Sequence, residues 1–238
     1  MRLPLDGGCQ WEELEEVDST QRIAAEHVRT NSKTGIVFAH NQTAGRGRFG
    51  RPWISSRGDS VTVSFIFREY ADHPKPYLIG MSMALAAAGA LQCQVRWPND
   101  LTIRERKLGG ILTELFPDPH GRLVPVVGVG INLNQAEFPV EISATSTSLF
   151  LEGGRIHSAE EVVRQILNRV ALLPEPVQWQ DLLPIWSAFD RTPGKRYRLP
   201  SGKEAVALGV GPDGQLLCTA DGEPHVVLAA DALFGTSS

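Results

Sequence analysis

The chain has 238 residues, 42% of them hydrophobic and 21% charged, a globular balance that excludes a disordered or fibrous class. A net charge of −4 gives no overall attraction for polyanions, so a nucleic-acid role would need a local basic patch. No run approaches the length of a membrane span and MRLPLDGGCQ has no apolar signal region, so the expectation is a cytoplasmic protein with no membrane contact.

Cys9, Cys93 and Cys218 are scattered, without C-x-x-C spacing. That is the usage of a reducing compartment, where each serves as an inert small hydrophobe. The six histidines show no ligand spacing, so no protein-held metal is expected.

In chain order, Asp18 or Ser19 can cap a helix beginning near Thr20 and carrying Ile23, Ala24 and Val28. GIVFAHNQ reads as a short strand that enters a glycine-rich loop. SVTVSFIF (60–67) alternates apolar residues with Ser60, Thr62 and Ser64, the pattern of a half-buried strand. PYLIGMSMALAAAGALQ (76–92) is small and apolar throughout, as a buried helix would be. VRWPND follows as strand and turn, and KLGGILTEL and VPVVGVGINLN read as two strands of one sheet. SAEEVVRQILNRVALL opens with Ser158 and Glu161 in capping-box positions, and a further helix carries Trp186 and Phe189. Beyond RTPGK (191–195) short alternating runs are split by the turn signals PDG and ADG. The expected division is a larger domain over 1–190 and a small all-β module over 191–238, too small to stand alone.

The glycine loop, GRGRFG (45–50), fits G-x-G-x-x-G by spacing. A dinucleotide site needs a helix directly after the glycines, and here RPWISSRGDS leads to a strand. A kinase loop would need a downstream D-F-G, which is absent. What remains is Arg46, Arg48 and Arg51 among Gly45, Gly47 and Gly50, with Trp53 close behind. Such a loop can close over a phosphate or carboxylate with guanidinium forks. A solvated basic loop or an RNA-binding segment fits the loop alone as well.

NQTAGRGRFGRPW (41–53) is similar to the biotin-binding loop of biotin protein ligases, G-R-G-R-x-G-R-x-W. RWPNDLTIRERKLGGILTEL (96–115) resembles that family's K-W-P-N-D followed by K-L-x-G-I-L, and VDST (17–20) resembles its opening substrate-contact segment. GVGINLN (128–134) follows in the family's order. The likeness is close over roughly residues 10–135, weaker through the later helices, and returns in the C-terminal β module. One departure is Arg96 where the family has Lys, which keeps the charge and changes its geometry.

The resemblance implies an α+β fold, a mixed sheet backed by helices as in class II aminoacyl-tRNA synthetases, plus a C-terminal SH3-like barrel. It implies a ligase that activates biotin with ATP and Mg²⁺ to biotinyl-5′-adenylate. The biotinyl group then passes to a lysine of the biotin carboxyl carrier protein of acetyl-CoA carboxylase. The carrier is expected to dock by edge-strand pairing, with homodimerisation through the same surface. About ten residues precede the first helix signal, too few for a helix-turn-helix, so DNA binding is not expected.

The first step brings an anion to a polyanion, and two unit charges 4 Å apart interact by about 4 kcal/mol at an effective dielectric near 20. Cations between them offset that repulsion. By the resemblance, Lys107 meets the reacting carboxylate and α-phosphate, with Gly110 leaving room. Arg46 and Arg48 meet the biotin carboxylate and the adenylate phosphate, and Arg51 orders the loop. Ser19, Thr20, Gln42 and Gly45 surround the ureido ring, with helix capping the competing explanation for Ser19. Asn99 and Asn132 lie near the nucleotide, and Gly128 and Gly130 pass beneath the ligand. Trp53 shields the adenylate or anchors the loop, and Asp100 orients a basic neighbour. A lipoate or octanoyl ligase is the nearest rival, although its R-R-x-x-G-G loop and following histidine are absent. A non-catalytic nucleic-acid-binding protein is the rival of another class.

Overall fold

The computed structural model describes residues 1–2, 10–199 and 201–234; Cys9 lies outside them. Strands β1 (Gln10–Val17), β2 (Thr34–Gln42) and β3 (Ser60–Ile66) come first, with helix α1 (Thr20–Arg29) between the first two. Helix α2 (Tyr77–Leu91) precedes β4 (Gln94–Arg96), β5 (Asp100–Ile103), β6 (Arg106–Pro117) and β7 (Leu123–Asn132). These seven strands form one sheet in the order β1-β2-β3-β7-β6-β5-β4. Only the β1–β2 pair is parallel, so the sheet is mixed and the class is α+β, as expected.

Helices α3 (Val140–Ser143), α4 (Leu149–Gly153), α5 (Ala159–Val170) and α6 (Trp179–Phe189) follow. The tail folds into β8 (Arg196–Arg198), β9 (Glu204–Val210), β10 (Leu216–Ala220) and β11 (Glu223–Val227), then α7 (Ala229–Phe234). Its four strands make a separate antiparallel sheet with β11 and β8 at the edges.

Helix α2 has no polar face because every residue from Leu78 to Ala88 is buried. Small residues let it lie close to the sheet: a Cβ at Gly80 would collide with Thr113 Oγ1. Helix α5 packs beside it through Val163, Ile166 and Val170, all buried. The Ser158 hydroxyl accepts from the Glu161 N–H at 3.3 Å, one half of the expected capping box. The tail shares this core, since Ala205, Ala207, Leu216 and Cys218 belong to the same buried cluster as α2. Two hydrogen bonds pin it further: Trp97 Nε1 donates to Gly214 O at 2.9 Å, and Tyr197 Oη to Trp97 O at 2.7 Å.

Three details differ from the sequence reading. Strand β1 is an unforeseen element. Strand β3 is buried on both faces rather than half-buried, with Ser60, Thr62 and Ser64 each under 4% exposed. Neither Asp18 nor Ser19 caps α1 through its side chain; Asp18 Oδ1 instead accepts from the Ser19 N–H at 2.6 Å. Cys93 and Cys218 are buried free thiols, and burial pushes the Cys93 thiol up to about 12, leaving it inert. Among the described residues no helix is long and apolar enough to cross a membrane.

Candidate functional site

A cavity of about 230 Å³ opens on one face of the large sheet. Its floor is made by Gly110 of β6 and Gly128 and Gly130 of β7. Strand β7 sits between β3 and β6, where Gly128 pairs with Ser64 and Leu112, and Gly130 with Thr62 and Gly110. Side chains alternate along a strand, so glycine at 128 and 130 strips one face while the other stays packed. That is how a central strand can lie bare beneath a ligand.

The wall nearest α1 carries Ser19, Thr20 and Gln42. Gln42 Oε1 accepts from the Thr20 N–H at 2.8 Å and from Thr20 Oγ1 at 3.1 Å, and Thr20 Oγ1 lies 2.8 Å from Ser64 Oγ. This network fixes the Gln42 amide. Ser19 makes no side-chain cap, and it lines the cavity.

Opposite lies the loop. It closes on itself through Gly47 N–H to Arg51 O at 2.7 Å and Trp53 N–H to Gly45 O at 2.8 Å. Arg46, Arg48, Arg51 and Trp53 line the cavity from it. Arg46 points a guanidinium nitrogen toward Glu114 at 3.7 Å. Arg48 donates from Nη1 to the carbonyl of Ala232 in α7 at 2.6 Å, and burial holds its pKa below the usual arginine value despite nearby Asp100. Arg51 is exposed, and its backbone rather than its fork closes the loop.

The third wall is the start of β5 and β6, with Asn99, Asp100 and Lys107. Lys107 Nζ sits 2.7 Å from Asp100 Oδ1, and Arg96 Nη2 donates to Asp100 Oδ2 at 2.7 Å. Burial raises the Asp100 pKa, but Lys107 and Arg96 outweigh it and hold the carboxyl below the ordinary range. Asp100 therefore stays charged and keeps the ammonium in place. Arg96 does not line the cavity; its fork is used on Asp100.

Two expected residues lie elsewhere. Gly45 is buried behind the loop, where a Cβ would stand 2.6 Å from Trp53 O and 2.9 Å from Gln42 Nε2. Asn132 is buried and donates from Nδ2 to Thr147 O at 3.0 Å and to Lys107 O at 3.5 Å, so it braces the strand that carries Lys107. The sequence reading also passed over Gln21, Thr62 and Leu112, which line the cavity. Each neighbours a recognised position in sequence or register, and that adjacency was the available signal.

The deciding observation is that Arg46, Arg48 and Lys107, drawn from segments 60 residues apart, face one cavity. The model of the biotin/lipoate A/B protein ligase family matches residues 14–134, which contain every one of these walls. The chain belongs to that family. This ligase is 30% identical over 234 residues to the bifunctional ligase/repressor BirA of Bacillus spizizenii, a match covering 92% of this chain and 72% of the relative. It is 28% identical over 257 residues to the biotin–[acetyl-CoA-carboxylase] ligase of Mycobacterium tuberculosis, covering 96% and 91%. Among solved structures, the biotin protein ligase from Aquifex aeolicus in complex with biotin and ATP superposes with a TM-score of 0.73 at 27% identity, covering 92% of this chain and 95% of that one.

Trp53 stands on the bare floor: a Cβ at Gly130 would lie 2.6 Å from its Cε2. Gly130→Ala should lift the ring and loosen the loop while leaving the sheet intact. Limited trypsin digestion, reading cleavage after Arg46 and Arg48, is expected to run about fivefold faster in the variant. Equal rates would show that this contact does not hold the loop down.

Proposed function

We propose that the chain is a biotin protein ligase and that the three cations around one cavity are what carry this activity. In the first step the biotin carboxylate attacks the α-phosphorus of ATP; a C–O–P bond forms, the α–β bond breaks, and pyrophosphate leaves. In the second, a carrier lysine amine attacks the acyl carbon, AMP leaves, and an amide remains. The relatives' names and the neighbour holding biotin and ATP support this reading.

In this reading Lys107 bridges the reacting carboxylate and the α-phosphate, with Asp100 fixing its position. Arg46 and Arg48 exchange Glu114 and the Ala232 carbonyl for ligand anions as the loop closes. Closure then keeps water from the mixed anhydride. Gly45, Arg51 and Trp53 shape the loop, and Asn99 and Asn132 support the nucleotide side. Mg²⁺ would come with ATP and offset the phosphate charge; Asp100, the carboxylate at that end, is already held by two cations, so the metal would rely on the triphosphate for its oxygens. The same pairing makes Asp100 a poor base for the second step.

The acceptor is the biotin carboxyl carrier protein of acetyl-CoA carboxylase. Strand β1 is the sheet edge to which an extended carrier segment, or a second copy of the chain, could add a strand; at the opposite edge the Arg191 N–H already donates to Val95 O of β4 at 2.8 Å. We assign residues 1–190 to the catalytic domain and 191–238 to an SH3-like module that serves it. Biotin-dependent ATP–pyrophosphate exchange tests the activity. Exchange with biotin and none with lipoate is expected; the reverse would transfer the chain to the lipoate branch of its family.

A further inference from the structure

The β4–β5 hairpin turns through Trp97, Pro98 and Asn99, and Arg96 opposite Asp100 is its last pair before the turn. Trp97 is 3% exposed, so its polar groups need protein partners. Its N–H donates to Thr192 Oγ1 at 2.9 Å, its indole Nε1 donates to Gly214 O at 2.9 Å, and its carbonyl accepts from Tyr197 Oη at 2.7 Å. The Tyr197 ring stands edge-on to the indole, with centroids 6.0 Å apart. All three partners belong to the tail, 95 to 117 residues later in the chain.

At the other end of the turn, Asn99 is tied to β6: its carbonyl accepts from the Ile111 N–H at 3.0 Å, and its Nδ2 donates to the Ile111 carbonyl. The turn is thus gripped from two sides, Trp97 by the tail and Asn99 by the sheet, with the stiff Pro98 between them. Asp100 leaves this turn to meet Lys107 Nζ and Arg96 Nη2, each at 2.7 Å. Tyr197 lies within the electrostatic reach of Arg96 and Asp100, and burial raises its phenol pKa above the ordinary value, so the hydroxyl stays a neutral donor. The ring alone would fill this space as phenylalanine. What the hydroxyl adds is the grip on the Trp97 carbonyl.

We propose that Tyr197 is a positioning residue for the adenylation step: by holding the Trp97 carbonyl it fixes the turn that carries Asp100, and through Asp100 the Lys107 ammonium. The inference rests on the biotin reading above and deepens it. Lys107 Nζ is paired directly with the Asp100 carboxylate, so a displacement of that carboxylate passes to the cation at the reacting atoms. A misplacement of about 1 Å at a reacting centre costs about a hundredfold in rate. Loss of one of the three bonds on Trp97 moves the turn by less and costs less. Ser19, Thr20 and Gln42 stand on another wall and do not feel the turn, so the hold on biotin is separate from the rate. The small tail module therefore enters the chemistry without touching the substrate.

The test is rapid-quench measurement of biotinyl-adenylate at saturating biotin and ATP, on Tyr197→Phe of the full chain, with Tyr70→Phe as the control. In Tyr197→Phe the rate of adenylate formation should fall about tenfold, while KM for biotin stays within about twofold of wild type. Tyr70 is also buried, and its hydroxyl donates to Glu175, away from the cavity and from Trp97. Tyr70→Phe should therefore keep the wild-type rate. A Tyr197→Phe rate within about twofold of wild type overturns the proposal. So does a loss confined to KM for biotin, or an equal loss of rate in Tyr70→Phe. If wild type forms no biotinyl-adenylate, the biotin reading fails and takes this inference with it; an active wild type beside an equally active Tyr197→Phe sinks this inference alone. Thr192→Val is the second variant, for use should Tyr197→Phe not fold. It removes the acceptor of the Trp97 N–H, so it should show the same loss of rate at unchanged KM for biotin. A wild-type rate in Thr192→Val overturns the proposal.

Discussion

Lys107→Ala is expected to lower the rate of adenylate formation by about 10³-fold, the scale of losing a preorganised charge at a transferring group. The lysine lines the cavity, its ammonium lies 2.7 Å from Asp100 Oδ1, and in the proposed mechanism it is the cation shared between the reacting partners. The fold should survive because the backbone at 107 is tied independently of the side chain. The Lys107 N–H donates to Thr145 O at 2.7 Å, and its carbonyl accepts from the Thr147 N–H at 2.9 Å. Arg96 still covers the Asp100 carboxylate, and the Lys107 side chain is 38% exposed, so the stability cost should be about 1 kcal/mol. Lys107→Arg should recover little, since a planar fork cannot replace a compact ammonium between two oxygens. Rapid-quench measurement of biotinyl-adenylate decides: a Lys107→Ala rate within threefold of wild type would remove this residue from the chemistry. An acid limb is also expected. Because the Asp100 carboxyl is held below its usual range, the pair's contribution persists above the unfolded carboxyl pKa. It is lost only as pH falls through the lowered one.

How much of this was legible in the sequence depends on what each segment buries. Helix α2 announced itself because an unbroken run of small apolar residues has few alternatives to a buried helix. Strands β6 and β7 and the bare glycines between them were readable for the same reason. Strand β1 was not. WEELEEV has no clean alternation, and its glutamates are spent on side-chain partners: Glu12 on His27, Glu13 on His40, Glu15 on Arg57 and Glu16 on Asn41. Its pairing with β2 is a backbone matter, invisible to a hydrophobic pattern. The alternation in β3 misled in the opposite sense. Its hydroxyls face the cavity side of the sheet, where they bond Thr20 and the Ala39 carbonyl, and polar residues there are buried rather than wet. Gln21 was missed because a helix-surface reading assigns polar residues in a first turn to solvent. Only the distance to Glu114, 93 residues away in sequence, shows that it faces the sheet.

Gly109→Ala should lower stability by about 2–4 kcal/mol, the range of overpacking where backbone must move. A Cβ there would lie 2.5 Å from the Gly130 carbonyl oxygen and 3.3 Å from Ile131 Cα. Neither is the end of a flexible side chain, so the clash can be relieved only by separating β6 from β7. The site has no slack at this point. The β5–β6 register slips between Leu101 and Thr102, so that Leu101 faces Gly109 and Thr102 faces Lys107. For a chain of this size the melting temperature should fall by roughly 5–15 °C. Gly153→Ala is the control, since a Cβ at that helical position meets nothing within 4 Å and should be neutral or mildly stabilising. Scanning calorimetry of the two variants separates a general intolerance of added methyls from a demand made by this one crossing. Adenylation by the folded fraction of Gly109→Ala should also drop, because the movement that relieves the clash carries Lys107 with it. A variant that melts with wild type and keeps full activity would show that the two strands are not held at this spacing.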